Sequence, residues 1–183
     1  MSKVCVFFAP GFEEIEALTV VDILRRAEID VDMVSITGDK KVTGSHKITV
    51  EMDKLFEEVD FGQADMLVLP GGMPGTKNLE AFEPLMKQVD AFYADGKYVA
   101  AICAAPSIFG HRGILKGKEA CSNPAFESHL EGADVKNSPA VVSGKVITSR
   151  GMGTAIPFGL AILGQLKGEE AVSSMKEKLV FNL

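Results

Sequence analysis

Short apolar runs of strand length alternate with segments of helical periodicity from the first residues of the chain onward. Residues 3–8 form a β-rich run, and over residues 13–27 the apolar side chains recur at the spacing of a helix. Further strands are predicted at residues 30–37, 64–69 and 98–102. Because strands that alternate with helices usually pair in parallel, this order predicts an α/β fold with a mainly parallel sheet and helices on both faces.

The remaining segments fit the same scheme, with no linker or internal repeat between them. Residues 42–52, interrupted at Gly44 and Ser45, predict a hairpin outside the main sheet. Further elements are predicted as helices at residues 83–95, from 106 onward, 154–167 and 169–178, and as short strands around residues 120, 135 and 141–148. We therefore expect a single domain over residues 1–183.

Composition and charge narrow the class of protein. At 183 residues, of which 46% are hydrophobic, the chain can bury a substantial core. The net charge of −6 and the lack of a basic cluster argue against a nucleic-acid partner. No apolar run approaches the roughly 20 residues of a membrane span, and the N-terminus lacks the pattern of an export signal. We therefore expect a cytoplasmic protein with no membrane partner.

The chain has three cysteines, Cys5, Cys103 and Cys121, an odd number without paired spacing. This pattern indicates neither a disulfide framework nor a set of metal ligands, and no cofactor-binding motif accompanies it. We expect no metal and no organic cofactor. We also expect Cys5 and Cys121 to be unreactive core residues.

Cys103 lies at a predicted corner between a strand and a helix. The apolar run of residues 98–102 precedes it, and Pro106 suits the first turn of a helix. The small residues Ala101 and Ala105 permit the tight turn of a nucleophile elbow. The N–H groups of the first helical turn would then favour the thiolate. A structural role as a small buried residue is the alternative for this cysteine.

Three turns are predicted to meet at the carboxyl ends of the strands, where α/β sheets bind their ligands. Residues 10–16 offer carboxylates, residues 70–78 offer glycines, and residues 102–106 offer the thiol. These three turns define one predicted crevice.

Glu16 is the carboxylate that we expect to face the thiol. The neighbouring Ile15 and Leu18 are expected to face the core, which places Glu16 at the border of the buried face. Glu13 and Glu14 are expected only to complement the positive end of the helix. Because two acids in contact share a proton, we expect the charge on sulfur and a protonated Glu16 that acts as donor or proton shuttle.

The consecutive glycines of Pro70-Gly71-Gly72 permit a close approach of the backbone and positive φ values. The stretch matches neither a phosphate-binding loop nor a dinucleotide fingerprint. If the N–H of Gly72 lies beside that of Ala104, the two form an oxyanion hole for attack on a carbonyl group. A plain turn is the alternative.

Four local patterns occur in order along the chain: Gly11-Phe12-Glu13-Glu14-Ile15-Glu16, Leu69-Pro70-Gly71-Gly72, Ala100-Ala101-Ile102-Cys103-Ala104-Ala105-Pro106 and Thr148-Ser149-Arg150-Gly151-Met152-Gly153-Thr154. Together they resemble the ThiJ/PfpI family, in particular the branch of the Parkinson's-associated deglycase and chaperone and its bacterial relatives. The resemblance implies a flavodoxin-like three-layer sandwich and a homodimer, with the helix of residues 14–26 as its interface. It also implies a reactive Cys103, a partner Glu16, and backbone N–H donors at Gly72 and Ala104.

Two positions depart from the family pattern. Ala104 stands where the protease-like branch has a histidine, and Asn123 stands where the closer branch has a histidine before a proline. Asn123, the candidate third position of the site, can form hydrogen bonds but cannot take a proton near pH 7. His46, His111 and His129 match no family position and are expected to be structural or at the surface.

The resemblance implies a glyoxalase or deglycase acting on glyoxal, methylglyoxal or their adducts with thiols and amines. The expected route passes through a hemithioacetal on Cys103, with the proton moved by Glu16 and the oxygen held by Gly72 and Ala104. The alternative is a redox-sensing chaperone dimer in which Cys103 oxidises to a sulfinate and Glu16 donates a hydrogen bond to it. A third interpretation, a peptidase or amidotransferase, is disfavoured because the chain lacks the histidine that such an enzyme requires.

Overall fold

A computed structural model describes residues 2–181 of the chain. The strands are β1 (Lys3–Phe8), β2 (Asp30–Ser35), β3 (Lys41–Thr43), β4 (Thr49–Glu51), β5 (Lys54–Leu55), β6 (Met66–Leu69), β7 (Tyr98–Ile102), β8 (Glu119–Ala120), β9 (Asp134–Val135), β10 (Ala140–Ser143) and β11 (Val146–Ser149). The helices are α1 (Glu14–Arg26), α2 (Gly75–Ala81), α3 (Glu83–Ala94), α4 (Pro106–His111), α5 (Ala155–Lys167) and α6 (Glu169–Lys178), and short 3-10 helices cover Phe56–Glu58, Pro124–His129 and Met152–Thr154.

The main sheet has the strand order β10-β11-β7-β6-β1-β2-β5. All neighbouring strands in it are parallel except the antiparallel pair β10 and β11. Strands β1, β6 and β7 are adjacent, so the turns that follow them meet at one edge of the sheet. This topology confirms the α/β fold with a mainly parallel sheet.

Helices cover both faces of the sheet because successive strand residues point to opposite sides. In β1, Val4 and Val6 belong to the core beneath α1, α5 and α6, whereas Cys5 and Phe7 belong to the core beneath α2, α3 and α4. All four side chains are 0% exposed. Strands buried on both faces account for the continuous apolar runs in the sequence.

Most of the predicted elements are present within a few residues of their predicted ends. The predicted hairpin consists of β3 and β4, which pair only with each other, as expected. The strand predicted over residues 141–148 is an antiparallel pair, β10 and β11. The sequence did not predict the three 3-10 helices, α2 or β5. In α2 only Gly75, Thr76 and Leu79 are buried, and β5 has two residues, so neither shows a periodic pattern.

Within residues 2–181, no helix combines the length and the apolar character needed to cross a membrane.

Candidate active site

Cys103 occupies the corner between β7 and α4. It directly follows Ile102, and its φ of +65° lies in the left-handed region that non-glycine residues rarely adopt. Its N–H donates to the carbonyl of Ser149 at 3.0 Å, and its carbonyl accepts from the N–H of Asn123 at 2.9 Å. These two bonds hold a backbone conformation that costs on the order of 1 kcal/mol. The corner has the geometry of a nucleophile elbow.

The residues around this corner are small and tightly packed. Ala101, Ala104 and Ala105 are each at most 1% exposed. A larger side chain at any of them would displace the neighbouring core, which agrees with the requirement of the elbow for small residues.

Glu16 lies in the first turn of α1, and only 1% of its surface is exposed. Its N–H donates to Oε2 of Glu13 at 2.8 Å, and its own Oε2 accepts from the N–H of Gly71 at 3.0 Å. The same Oε2 lies beside Cys103, since the space next to Gly71 is bordered by both Oε2 of Glu16 and the Cβ of Cys103. The fold therefore brings together the acid and the thiol that the sequence places on separate turns.

The expectation that Ile15 faces the core was wrong. Ile15 is 50% exposed, whereas Glu14 and Glu16 on either side of it are buried. The first turn of α1 faces the polar crevice and the β3–β4 hairpin rather than the apolar core. Its buried side chains are acidic for that reason, and helical spacing of apolar residues does not identify them.

Gly71 and Gly72 bring the end of β6 against this contact. A Cβ on Gly71 would lie 2.6 Å from both the Cβ of Cys103 and Oε2 of Glu16, so a larger residue does not fit. Gly72 has a φ of +92°, and a Cβ there would lie 2.3 Å from the backbone nitrogen of Glu13. Both glycines are required by close approach, as the sequence indicated.

The acid and the thiol oppose each other's ionisation. Burial raises the pKa of Glu16 to about 7, and the charge of Glu13 acts in the same direction. Burial and the charge of an ionised Glu16 raise the pKa of Cys103 to about 12, while the N–H groups of Ala104 and Gly72, which face the sulfur, lower it. When Glu16 is protonated its repulsion disappears and the N–H dipoles remain. The expected acidic thiol therefore requires a neutral Glu16.

Asn123 borders the same space. Its Oδ1 accepts from the N–H of Ala125 at 3.1 Å and so caps the 3-10 helix that follows. A methyl group built on Gly151 would lie 3.8 Å from Nδ2 of Asn123, 3.9 Å from Oε1 of Glu16 and 4.0 Å from Sγ of Cys103. These three groups therefore surround one small volume, with Gly151 as its fourth side.

Glu14 has a role that the sequence did not indicate. It is 4% exposed, and its carboxylate accepts from the backbone N–H of His46 at 2.7 Å and contacts Nδ1 of His46 at 2.9 Å. Hydrogen bonds from His46 and the backbone outweigh the effect of burial and hold the pKa of Glu14 below its usual value. The hydrogen bond with Glu14 raises the pKa of His46. These contacts anchor the β3–β4 hairpin on the N-terminus of α1.

The other candidate residues lie outside the crevice. Cys5 and Cys121 are free thiols with no exposed surface, as predicted, and burial raises the pKa of each. His111 and His129 are exposed, and their rings are joined by an Nε2 to Nδ1 contact of 3.1 Å. Glu80 lies 2.6 Å from the remaining nitrogen of His111.

These features define the class of the protein. It is an α/β protein with a mainly parallel sheet, in which a cysteine at a strand-to-helix corner lies beside a buried acid. Within that class, residues 2–165 match the DJ-1/PfpI family. The chain belongs to this family.

Named relatives of the chain are DJ-1 proteins. Protein DJ-1 homolog B of Arabidopsis thaliana is 37% identical over 97% of this chain, which spans only 41% of that relative's length. The glutathione-independent glyoxalase DJ-1 of Schizosaccharomyces pombe is 32% identical over 98% of both chains. The structure of oxidized Toxoplasma gondii DJ-1 superposes on this chain with a TM-score of 0.95 and is 32% identical in sequence, and the superposition covers both chains completely. These similarities confirm the resemblance drawn from the four sequence patterns.

Proposed function

We propose that the protein is a cysteine-dependent, cofactor-independent enzyme of the glyoxalase or deglycase type. Its substrates would be glyoxal, methylglyoxal, or their adducts with thiols and amines. The position of the Glu16 carboxyl beside the Cys103 thiol carries the proposal, because a carboxyl group whose pKa is raised to about 7 can exchange protons near neutral pH and a thiol can act as a nucleophile. The S. pombe relative named as a glyoxalase supports the same chemistry.

The proposed reaction starts with the thiolate of Cys103. Its Sγ forms a bond to the aldehyde carbon, and the electron pair of the carbonyl bond moves onto the oxygen, which takes the proton of the neutral Glu16 carboxyl group and leaves Glu16 as a carboxylate. In this proposal the N–H groups of Gly72 and Ala104, which face the sulfur, hold that oxygen. The product of this step is a hemithioacetal.

Proton transfer by Glu16 completes the conversion. The carboxylate removes the C–H proton of the hemithioacetal to give an enediolate. Return of that proton to the neighbouring carbon, with transfer of the hydroxyl proton to the adjacent oxygen, gives a thioester. Water then hydrolyses the thioester, releasing lactate from methylglyoxal and regenerating the Cys103 thiol. Nδ2 of Asn123 can donate a hydrogen bond to a substrate oxygen, but the amide group does not act as an acid or a base near pH 7. Glu16 therefore carries out the proton transfers to and from carbon.

The direct test is lactate production from methylglyoxal by purified protein. We expect turnover by the wild type and none above background by Cys103→Ser, which keeps the elbow but replaces the nucleophile. The assay is run on metal-depleted protein purified away from host glyoxalases. Equal activity of the two proteins would reject the proposed nucleophile, and no activity in either would reject the glyoxalase.

A second candidate function is that of a redox-responsive protein with chaperone activity. It is favoured by the same neutral carboxyl group, which can donate a hydrogen bond to an oxidised sulfur, and by Asn123, which cannot act as a base. Peroxide treatment followed by mass spectrometry would distinguish this function. It predicts quantitative gain of two oxygen atoms on Cys103, together with suppression of client aggregation.

We further propose a homodimer formed through α1 and the hairpin. Ile15 is 50% and Ile48 is 53% exposed, and both line an apolar groove with Leu18 and Ile156. Exposed apolar side chains grouped in this way are typical of a protein interface. A second copy of the chain is the proposed partner.

A further inference from the structure

The stretch from Ser149 to Thr154 is the one sequence pattern of the crevice that the proposed chemistry does not use. Gly151 lies in it, facing the sulfur, the acid and the amide across a gap that a single methyl group would fill. All three contacts of such a methyl would be at ordinary van der Waals distance. The gap is therefore about as large as one carbon atom with its hydrogens.

The wall that Gly151 forms is held on both sides by one side chain. Oγ1 of Thr154 accepts from the N–H of Gly151 at 3.0 Å and donates to its carbonyl at 2.9 Å. The same hydroxyl lies 2.8 Å from Oγ of Ser149, at the end of β11. Because these bonds tie Gly151 to the sheet, the gap cannot widen freely to admit a larger group.

We propose that Gly151 is the specificity-determining residue of the site, and that it restricts the reacting carbon to an unbranched aldehyde with at most a small neighbouring substituent. The proposal rests on the proposed function, since the group in the gap is the carbon that Cys103 attacks. That carbon would lie between Sγ of Cys103 and Oε1 of Glu16, where only a hydrogen of Gly151 faces it. A side chain on residue 151 would take up part of this space and leave less room for the substituent next to the reacting carbon.

Gly151→Ala tests the proposal without straining the backbone. The φ of Gly151 is 161° and its ψ is −168°, an extended conformation open to alanine. Gly153→Ala is the matched control, because a Cβ on Gly153 meets no atom within 4 Å. We expect Gly151→Ala to lower kcat/KM for methylglyoxal by about tenfold or more, and to lower it less for the smaller glyoxal. Gly153→Ala should leave both values unchanged.

Alkylation of Cys103 provides a readout that does not depend on turnover. Sγ displaces iodide from iodoacetamide, whereas it adds across the ring double bond of the bulkier N-ethylmaleimide. The ratio of the two rates cancels any change in the thiolate fraction. We expect Gly151→Ala to shift this ratio toward iodoacetamide by severalfold, with an unchanged melting temperature.

The two readouts separate the failure of this inference from the failure of the proposed function. If the wild type turns over no dicarbonyl but the alkylation ratio shifts as expected, Gly151 still limits access to the sulfur and the glyoxalase assignment is wrong. If the ratio and the preference between glyoxal and methylglyoxal are unchanged in a folded Gly151→Ala, the inference is wrong. Gly151→Ser serves as a second variant if the alanine variant does not fold.

Discussion

The carboxyl group of Glu16 and the thiol of Cys103 meet in the crevice although they belong to the first helix and the corner after β7. The residue between them is Gly71, whose N–H donates to Glu16 and whose missing side chain leaves room for the contact. Adjacent parallel strands bring these three segments to one edge of the sheet. The strand order of the sheet thus brings the two side chains together, and their burial raises the pKa of each.

Cys103 should be the most reactive of the three cysteines. It is partly exposed, whereas Cys5 and Cys121 have no exposed surface and can react only after local opening. Limiting iodoacetamide followed by peptide mass spectrometry should place nearly all of the label on Cys103. Labelling of all three at equal rates in folded protein would contradict the elbow assignment, and unfolded protein provides the control in which they should react alike.

Ile48→Glu should dissociate the proposed dimer. The substitution places a charge in the groove beside Ile15, where desolvating it against a second copy is costly. Light scattering at micromolar concentration should then report a mass near 19.6 kDa, against about twice that for the wild type. Val135→Glu is the control, because Val135 is also an exposed apolar residue but lies on β9. A mass near 19.6 kDa for the wild type would show that it is a monomer and would reject the proposed dimer.

Glu13→Gln should lower the pKa of Glu16 from about 7. The amide oxygen of glutamine can still accept the N–H of Glu16, so the helix cap is kept while the neighbouring negative charge is lost. The ¹³C shift of the Glu16 carboxyl against pH, assigned by its loss in Glu16→Gln, measures the change. Glu13→Asp retains the charge and should titrate more like the wild type. An identical midpoint in Glu13→Gln would show that the Glu13 charge has no effect on Glu16.

The ion pair of Glu14 and His46 should stabilise the protein within a defined pH window. The raised pKa of His46 contributes stability that is complete below its ordinary value of 6.5 and is lost as the pH rises through the raised value. The lowered pKa of Glu14 contributes stability present above its ordinary value of 4.5 and lost as the pH falls. Both contributions are therefore present together between about pH 4.5 and 6.5.

Melting temperatures of His46→Gln and wild type should differ most in that window and converge at alkaline pH. The double variant with Glu14→Gln separates the pair from other effects, because His46→Gln in that background has no charge partner left to lose. A difference between His46→Gln and wild type that stays constant across the pH range would mean that the ion pair does not contribute.

How much of this structure the sequence predicts depends on how each residue is buried. The runs of residues 3–8 and 98–102 are buried on both faces, so composition alone identifies them as strands. The sequence identifies Cys103 because the tight turn around it demands small residues, and Gly72 because consecutive glycines permit a close approach and a positive φ. The sequence does not identify Glu14, since its burial depends on a hairpin that lies about 30 residues further along the chain and contacts it only in the folded protein. The same applies to Gly151, whose role depends on three side chains from distant segments.

Glu16 variants test the core of the proposed site. The pKa of Glu16 is raised to about 7 and that of Cys103 to about 12, so the carboxyl group is ionised at the pH where the thiol titrates. Glu16→Gln removes this repelling charge and keeps a hydrogen-bond donor, so it should lower the pKa of Cys103. Glu16→Leu also removes the charge but offers no donor to the thiolate. Since such a hydrogen bond is worth roughly 1.5–3 kcal/mol, the pKa of Cys103 should be about one to two units higher in Glu16→Leu than in Glu16→Gln. A pKa of Cys103 that is the same in Glu16→Gln and wild type would instead show that Glu16 is neutral where the thiol titrates. Thiolate absorbance near 240 nm as a function of pH measures all three proteins, with Cys103→Ser as the blank. Lactate production measured alongside should be lost in Glu16→Gln, because the amide cannot carry a proton. Identical titrations in wild type, Gln and Leu would mean that Glu16 does not act on Cys103.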